Sequence, residues 1–258
     1  MPIDRRDFLK LAVGGLAASG VLASAGVQSA SKSEVAAIVF DAFPIFDPRP
    51  VFGLAEELFP GKGAELSSAW RTRQFEYQWL RALGGRYADF WQATEDSLVF
   101  ATQMLRLNLD DEKRARLMQA YLKMKAWPDV VPALGTLKQA GFRLAILSNM
   151  TAKMLNANIE NAHLDGIFEE VLSTDDAQAY KPDPRAYRMA EDALGLPRRE
   201  ILFVPFAGWD ASGAKWFGYP TFWVNRLDLP VEQLGVAPDG AGRSLSDLVR
   251  FAMASSPA

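Results

Sequence analysis

The chain has 258 residues, 49% hydrophobic and 23% charged, an ordinary globular composition with apolar content for one large domain or two modest ones. A formal net charge of -3 argues against a nucleic-acid binder. There is no cysteine, which excludes disulfides, thiol catalysis and cysteine-ligated metals, and a single histidine, His163, excludes a histidine-cluster metal site.

The chain opens on "DRRDFLK", Asp4 to Lys10, followed by the Ala- and Gly-rich "LAVGGLAASGVLASAG". A twin arginine (Arg5, Arg6), a weakly apolar stretch and the small-residue site Ala23-Ser24-Ala25 predict an export signal over residues 1–25, similar to the Tat type. The mature chain would begin near Gly26 and be periplasmic. The stretch is too short and too weakly apolar for a stable membrane anchor.

"VAAIVFD", residues 35–41, is a fully apolar run ending in an acid, as expected of a central strand in a parallel sheet. From about 50 to 125 apolar residues recur at three- and four-residue spacing, in "AELSSAWRTRQFEYQWLRAL", "YADFWQATEDSLVFATQMLRL" and "DDEKRARLMQAYLKM". This predicts an all-helical block, residues 48–126, inserted after the first strand. Pro128 marks the return to alternation. A helix closed by Gly141 precedes the strand "FRLAILSN"; the helix "MTAKMLNANIENA" precedes the strand "FEEVLST". Another helix, "PDPRAYRMAEDALG", leads to the strand "EILFVP", and the short helix "DASGAKWFG" to the strand "PTFWVNR". The alternation predicts an α/β, doubly wound parallel sheet built from residues 33–47 and 127–258.

Ligands of such sheets bind beyond the carboxyl ends of the strands. Asp41 ends the first strand, Ser148 and Asn149 the second; Lys181 follows the third and Asp210 the fourth. An acid, a hydroxyl, an amide, a cation and a second acid therefore converge on one rim. That set suits a carboxylate nucleophile kept ionised by a lysine. Plainer roles exist for some of them: Asn149 as the cap of the helix at "TAKML", Asp210 as the cap of "ASGAK". Asp47, before Pro48 and Arg49, reads as a turn acid, and His163 as a surface residue at a helix end. Arg71 has no acid three or four residues away on its own helix, so its partner is expected elsewhere.

From Val35 to about Phe251 the sequence resembles the haloacid dehalogenase superfamily of hydrolases, and within it the L-2-haloacid dehalogenase branch. The resemblance is carried by "WRTRQFEYQWLRAL", "ATEDSL", "LAILSN", "YKPDPRAY" and "WDASGAKWFGYPTFWVNR". It implies a Rossmann-like core whose inserted helical block is a cap domain. It also implies an aspartyl-ester hydrolase acting on a small 2-haloacid, with no cofactor, and often dimeric. Residue by residue, Asp41 matches the nucleophile, Arg71 the cap arginine receiving the halide with Asn149 and Phe90, and Ser148 a substrate-carboxylate contact. Lys181 matches the lysine orienting the nucleophile, Tyr187 a supporting tyrosine placed with the substrate contacts, Asp210 the last-motif acid and Trp209 a pocket wall. Superfamily phosphatases carry a second acid where this chain has Phe43, here an apolar pocket residue, which argues against a magnesium site. Three positions depart from the branch: Ile45 replaces a threonine, Pro205 a serine and Ala207 an asparagine; Gly208 replaces an alanine. These losses of polar groups keep open an impaired binder of small carboxylates; the other alternative is a different superfamily hydrolase such as a phosphatase, against which Phe43 argues.

Overall fold

A computed structural model describes residues 35–255. The export signal expected over residues 1–25 lies outside the described residues.

The elements run β1 (Ala37–Phe40), α1 (Ala42–Ile45), β2 (Phe46–Asp47), α2 (Arg49–Leu58), α3 (Gly63–Leu83), α4 (Phe90–Met104), α5 (Asp111–Ala120) and β3 (Lys125–Ala126). They continue with α6 (Val130–Gln139), β4 (Arg143–Ser148), α7 (Ala152–Asn161), β5 (Glu170–Ser173), α8 (Pro184–Leu194), β6 (Ile201–Val204), α9 (Gly208–Phe217), β7 (Phe222–Val224), β8 (Gly240–Gly242) and α10 (Leu245–Ser255).

Four strands form a parallel sheet in the order β5-β4-β1-β6. A parallel bridge between Phe203 and Thr221 brings β7 beside β6, and β8 pairs with β7. Every residue of β1 is buried, because helices cover both faces of the sheet. Successive side chains alternate between two cores. Ile38, Phe40, Ile146 and Val204 face one; Ala37, Val39, Leu147 and Phe203 face the other, against Tyr187 on α8. The chain steps from β1 outward to β4 and β5, then returns to lay β6 on the opposite side of β1. The connections beyond β1 and β6 therefore diverge, and a crevice opens where strand order reverses.

Helices α2 to α5 occupy the span between β2 and β3. These two-residue strands pair antiparallel, Phe46 with Ala126 and Asp47 with Lys125, so the way into the helical block and the way out run side by side. Asp47 stands at this ribbon as a turn acid, accepting from the Arg49 N–H at 3.0 Å and from both Nε and Nη2 of its guanidinium. Within the block, α3 and α4 lock through Trp70 Nε1 on the Thr94 carbonyl (2.8 Å) and Gln74 Nε2 on Thr94 Oγ1 (2.6 Å). Trp70 is buried edge-on against Tyr121. Asp89 and Asp110 cap α4 and α5 by accepting from the N–H groups of Gln92 and Lys113. Gly141 follows the end of α6 at φ 90°, and Gly195 ends α8 at φ 64°, both left-handed positions that favour glycine. The two-residue strands, β8 and α10 lie beyond the expected strands and helices.

Candidate active site

The end of β1 delivers Asp41 to the crevice. Its backbone turns to φ -62°, ψ 162°, and its side chain caps the four-residue α1 by accepting from the Phe43 N–H at 3.3 Å through Oδ2. The other oxygen, Oδ1, accepts from Lys181 Nζ at 2.9 Å and, at a longer 3.4 Å, from Ser148 Oγ. Asp41 is only 7% exposed. A carboxylate so buried must be paired and hydrogen-bonded to remain charged.

Lys181, in the loop after β5, is 1% exposed. Its ammonium has three protons and three acceptors: Asp41 Oδ1, Asp210 Oδ2 at 2.7 Å and the Leu147 carbonyl at 3.3 Å. Burial works against the ammonium, but Asp210 and Asp41 outweigh it and hold its pKa above the usual lysine range. The lysine is therefore a fixed cation. Asp210 is drawn upward, first by burial and then by the negative charge of Asp41, against the pull of Lys181. Two carboxylates share one ammonium.

Asp210 lies in the first turn of α9, and Tyr187 on α8 donates its hydroxyl to Oδ1 at 2.7 Å. Burial first, then Asp210, pushes the Tyr187 phenol well above its ordinary value, so it serves as a neutral donor. Gly213 makes this approach possible: a Cβ there would stand 2.4 Å from the Tyr187 hydroxyl. The structure corrects three expectations here. Asp210 is not the cap of α9, since the helix begins at Gly208 and the capping position is Ala207. Asn149 is not the cap of α7; Thr151 is, accepting from the Met154 N–H. Tyr187 does not line the cavity and so cannot touch a substrate; it holds Asp210 from behind.

Nine of the expected site residues line one cavity: Asp41, Phe43, Arg71, Phe90, Ser148, Asn149, Lys181, Trp209 and Asp210. The polar groups come from the strand ends. Aromatic side chains supply the walls, with Phe52, Phe75 and Phe206 added to those expected. Trp209 packs edge-on against Phe75 and Trp79 of α3, both at 5.4 Å, so the sheet side and the helical block meet over the crevice. Arg71 reaches in from α3. Among the described residues, no carboxylate comes within ion-pair distance of it, and burial lowers its pKa. A guanidinium without an anion in an apolar cavity is a ready anion site.

Gln74 and Tyr121 also line the cavity and were not foreseen. Burial pushes the Tyr121 phenol up to about 12, leaving it a neutral hydroxyl. Gln74 and Gln78 did carry a signal in the sequence: both amides fall on the Trp70 face of α3, where apolar residues belong, and both are buried. Of the three departures from the branch, only Ala207 reaches the cavity. Ile45 is fully buried in the core, and Pro205 serves β7 through its carbonyl, which accepts from the Val224 N–H. A second, open cavity adjoins the first and shares Phe52, Arg71, Phe75, Phe206, Ala207 and Trp209 with it. Ser67, Thr72, Leu227 and Leu229 widen it towards solvent.

Fold and site together define a hydrolase with an aspartate at the end of the first strand. The chain belongs to the haloacid dehalogenase-like hydrolases, whose sequence profile matches residues 22–218. It falls in the L-2-haloacid dehalogenase branch. An (S)-2-haloacid dehalogenase of Pseudomonas sp. (strain YL) is 45% identical over 84% of this chain and 94% of its own. A haloacetate dehalogenase of Moraxella sp. (strain B) is 42% identical over 80% of this chain and 92% of its own. Among solved structures, an L-2-haloacid dehalogenase of Xanthobacter autotrophicus with chloropropionic acid covalently bound superposes with a TM-score of 0.79. It is 36% identical and covers 85% of this chain and 98% of its own.

Proposed function

We propose that the protein is an (S)-2-haloacid dehalogenase that hydrolyses short 2-haloalkanoic acids to 2-hydroxy acids through an ester on Asp41. The observation that carries this reading is the pairing of Asp41 with Lys181 in an apolar cavity that is also lined by Arg71, which has no carboxylate partner among the described residues. An ionised carboxylate in a dry, apolar site is a strong nucleophile towards carbon. The cavity supplies one fixed cation for the nucleophile and another for the departing anion.

The reaction runs in two steps. The substrate carboxylate binds with Ser148 at the strand end. Oδ2 of Asp41, engaged among the described residues only by the Phe43 N–H, attacks C2 in line with the carbon–halogen bond. A carbon–oxygen bond forms, the carbon–halogen bond breaks with its electron pair on the halide, and C2 inverts. Arg71, Asn149 and Phe90 receive the halide. Water then adds to the carboxyl carbon of Asp41, and the alkoxide of the 2-hydroxy acid leaves. One water proton ends on the product hydroxyl and the other is released to solvent as the Asp41 carboxylate is regenerated, so that with the halide of the first step the net by-product is HX. Asp210, drawn towards protonation by burial, serves as the nearby proton acceptor during this second step.

Halide release from (S)- and (R)-2-chloropropionate tests the proposal. The (S) substrate should give chloride and (R)-lactate, and the (R) substrate nothing. A single turnover in H2(18)O should place the label in the Asp41 peptide and not in the lactate. Label appearing in the first-turnover lactate would exclude the ester route.

The reading also includes export of the enzyme by residues 1–25, supported by Arg5, Arg6 and the Ala23-Ser24-Ala25 site. The substrate would then be met outside the cytoplasm.

A further inference from the structure

This inference rests on the dehalogenase reading and concerns how the Asn149 amide is held. The Lys181 backbone N–H points at Oδ1 of Asn149 at 3.0 Å, and Thr174 Oγ1 approaches the same atom at 3.2 Å. A main-chain N–H can only donate, so the amide oxygen must stand there. Nδ2 is thereby turned towards α3, where Oε1 of Gln78 accepts it at 2.9 Å. The orientation of Gln78 is forced in the same way. Its Nε2 donates to the Gln74 carbonyl at 3.2 Å, and a carbonyl can only accept. The four groups form a one-way chain, from Lys181 through Asn149 and Gln78 to Gln74.

Gln78 is 0% exposed and does not line the cavity. A buried amide at a core position of α3 calls for a partner, and Asn149 is that partner. One N–H of the Asn149 amide is taken by Gln78. The other is left for whatever occupies the cavity that Asn149 lines. We infer that Gln78 is a positioning residue, acting through Asn149: it clamps the amide so that its remaining N–H stays aimed at the departing halide. Without Oε1 the amide is held at its oxygen alone and pivots about that point. The clamp also joins the two sides of the crevice. Gln78 belongs to the helical block and Asn149 to the sheet, and Trp79, next to Gln78, donates to the Lys181 carbonyl at 3.3 Å.

A positioning role of this kind belongs to alkylation and not to ester hydrolysis. Gln78→Met keeps the bulk and removes the acceptor. It should slow the pre-steady-state halide burst about tenfold with 2-chloropropionate, the loss expected for one misaligned hydrogen bond. The loss should be smaller with 2-bromopropionate, whose leaving group needs less help. KM and the rate of ester hydrolysis should hold. In an Asn149→Ala background, Gln78→Met should add nothing. Gln78→Glu supplies the discriminating pH profile. A protonated glutamic acid reproduces both bonds, its carbonyl accepting from Asn149 and its hydroxyl donating to Gln74. The carboxylate cannot donate to Gln74 and sets a buried negative charge behind the Asn149 amide. Relative to wild type, this variant should be most active in acid and lose activity as pH rises. Should Gln78→Met fail to fold, the Gln78→Glu profile decides alone. An unchanged bromide-to-chloride ratio in folded Gln78→Met, an equal loss in the Asn149→Ala background, or a flat Gln78→Glu ratio overturns the inference while the dehalogenase reading stands. A wild-type protein that releases no halide from either substrate overturns both.

Discussion

Lys181 reaches across 140 residues of chain to place its ammonium 2.9 Å from Oδ1 of Asp41. The contact does two things. It pairs a buried carboxylate with a cation, and it occupies one carboxylate oxygen so that the other is the freer to attack.

Asp41→Asn should abolish halide release, by a factor of about 10³ or more, while melting at nearly the wild-type temperature. The amide oxygen can still accept from Lys181, so the fold is kept while the nucleophile is lost. Retained turnover, with mass spectrometry excluding deamidation back to Asp, would place the nucleophile elsewhere.

Lys181→Met should unfold far more easily, by about 3–5 kcal/mol, because it leaves two buried carboxylates without a cation. The folded-state pKa of Lys181 is raised, so its contribution is complete below the ordinary lysine pKa of about 10.4. It is lost only as pH rises through the folded value. The stability gap between wild type and variant should therefore be large at neutral pH and close in strong alkali. Denaturant titrations across this range would show it.

Asp210→Asn should behave oppositely. The pKa of Asp210 is raised by burial, so this group favours folding most at pH below the usual carboxylate range. That contribution is lost as pH rises through its folded pKa. The variant should lose activity yet gain in stability relative to wild type as pH rises from acid to neutral. A variant destabilised at neutral pH as severely as Lys181→Met would contradict the sharing of one ammonium by two acids.

Arg71→Lys should lose most activity, since a point ammonium does not reproduce the guanidinium fork. The same burial that lowers Arg71 would act on a lysine starting from about 10.4. What activity remains should fall further as pH rises into the alkaline range and the ammonium deprotonates. A flat alkaline limb matching wild type would remove Arg71 from the halide step.

Ala207 is the only departure from the branch that faces the cavity, at the place of the asparagine that helps position water. Hydrolysis of the ester should then be slower than its formation, and an adduct on the Asp41 peptide should accumulate in rapid-quench mass spectrometry. Ala207→Asn should raise steady-state turnover. It should also stabilise α9 by about 0.5–2 kcal/mol, because Ala207 is a helix-capping position at φ -90°, ψ 143° with no side-chain cap. A slow first turnover without adduct would show that alkylation limits the rate.

The export reading has its own test. A reporter carrying residues 1–32 should leave the cytoplasm by the Tat route and stay inside when Arg5 and Arg6 are both lysine.

Much of this molecule was determined by local sequence. Apolar runs such as "AIVF" specify strands buried on both faces, and their alternation with helices of period 3.6 leaves little besides a doubly wound sheet. Strand-end residues are legible for the same reason: topology sends the carboxyl ends of parallel strands to one rim, which groups Asp41, Ser148, Asn149, Lys181 and Asp210 from the order of the elements alone. What tertiary structure decided is which partner each polar group takes. Asn149 and Asp210 both have the composition of helix caps, yet Thr151 caps α7, and Asp210 turns inward to Lys181 and Tyr187. The amide of Gln78 interrupts the apolar face of α3, but its partner appears only when α3 is laid beside the end of β4, where it meets Asn149, 71 residues away in sequence. Local sequence sets backbone periodicity because those energies are short-ranged. Hydrogen-bond partnership across the crevice depends on distances of a few tenths of an ångström between elements, and only the packed chain defines these.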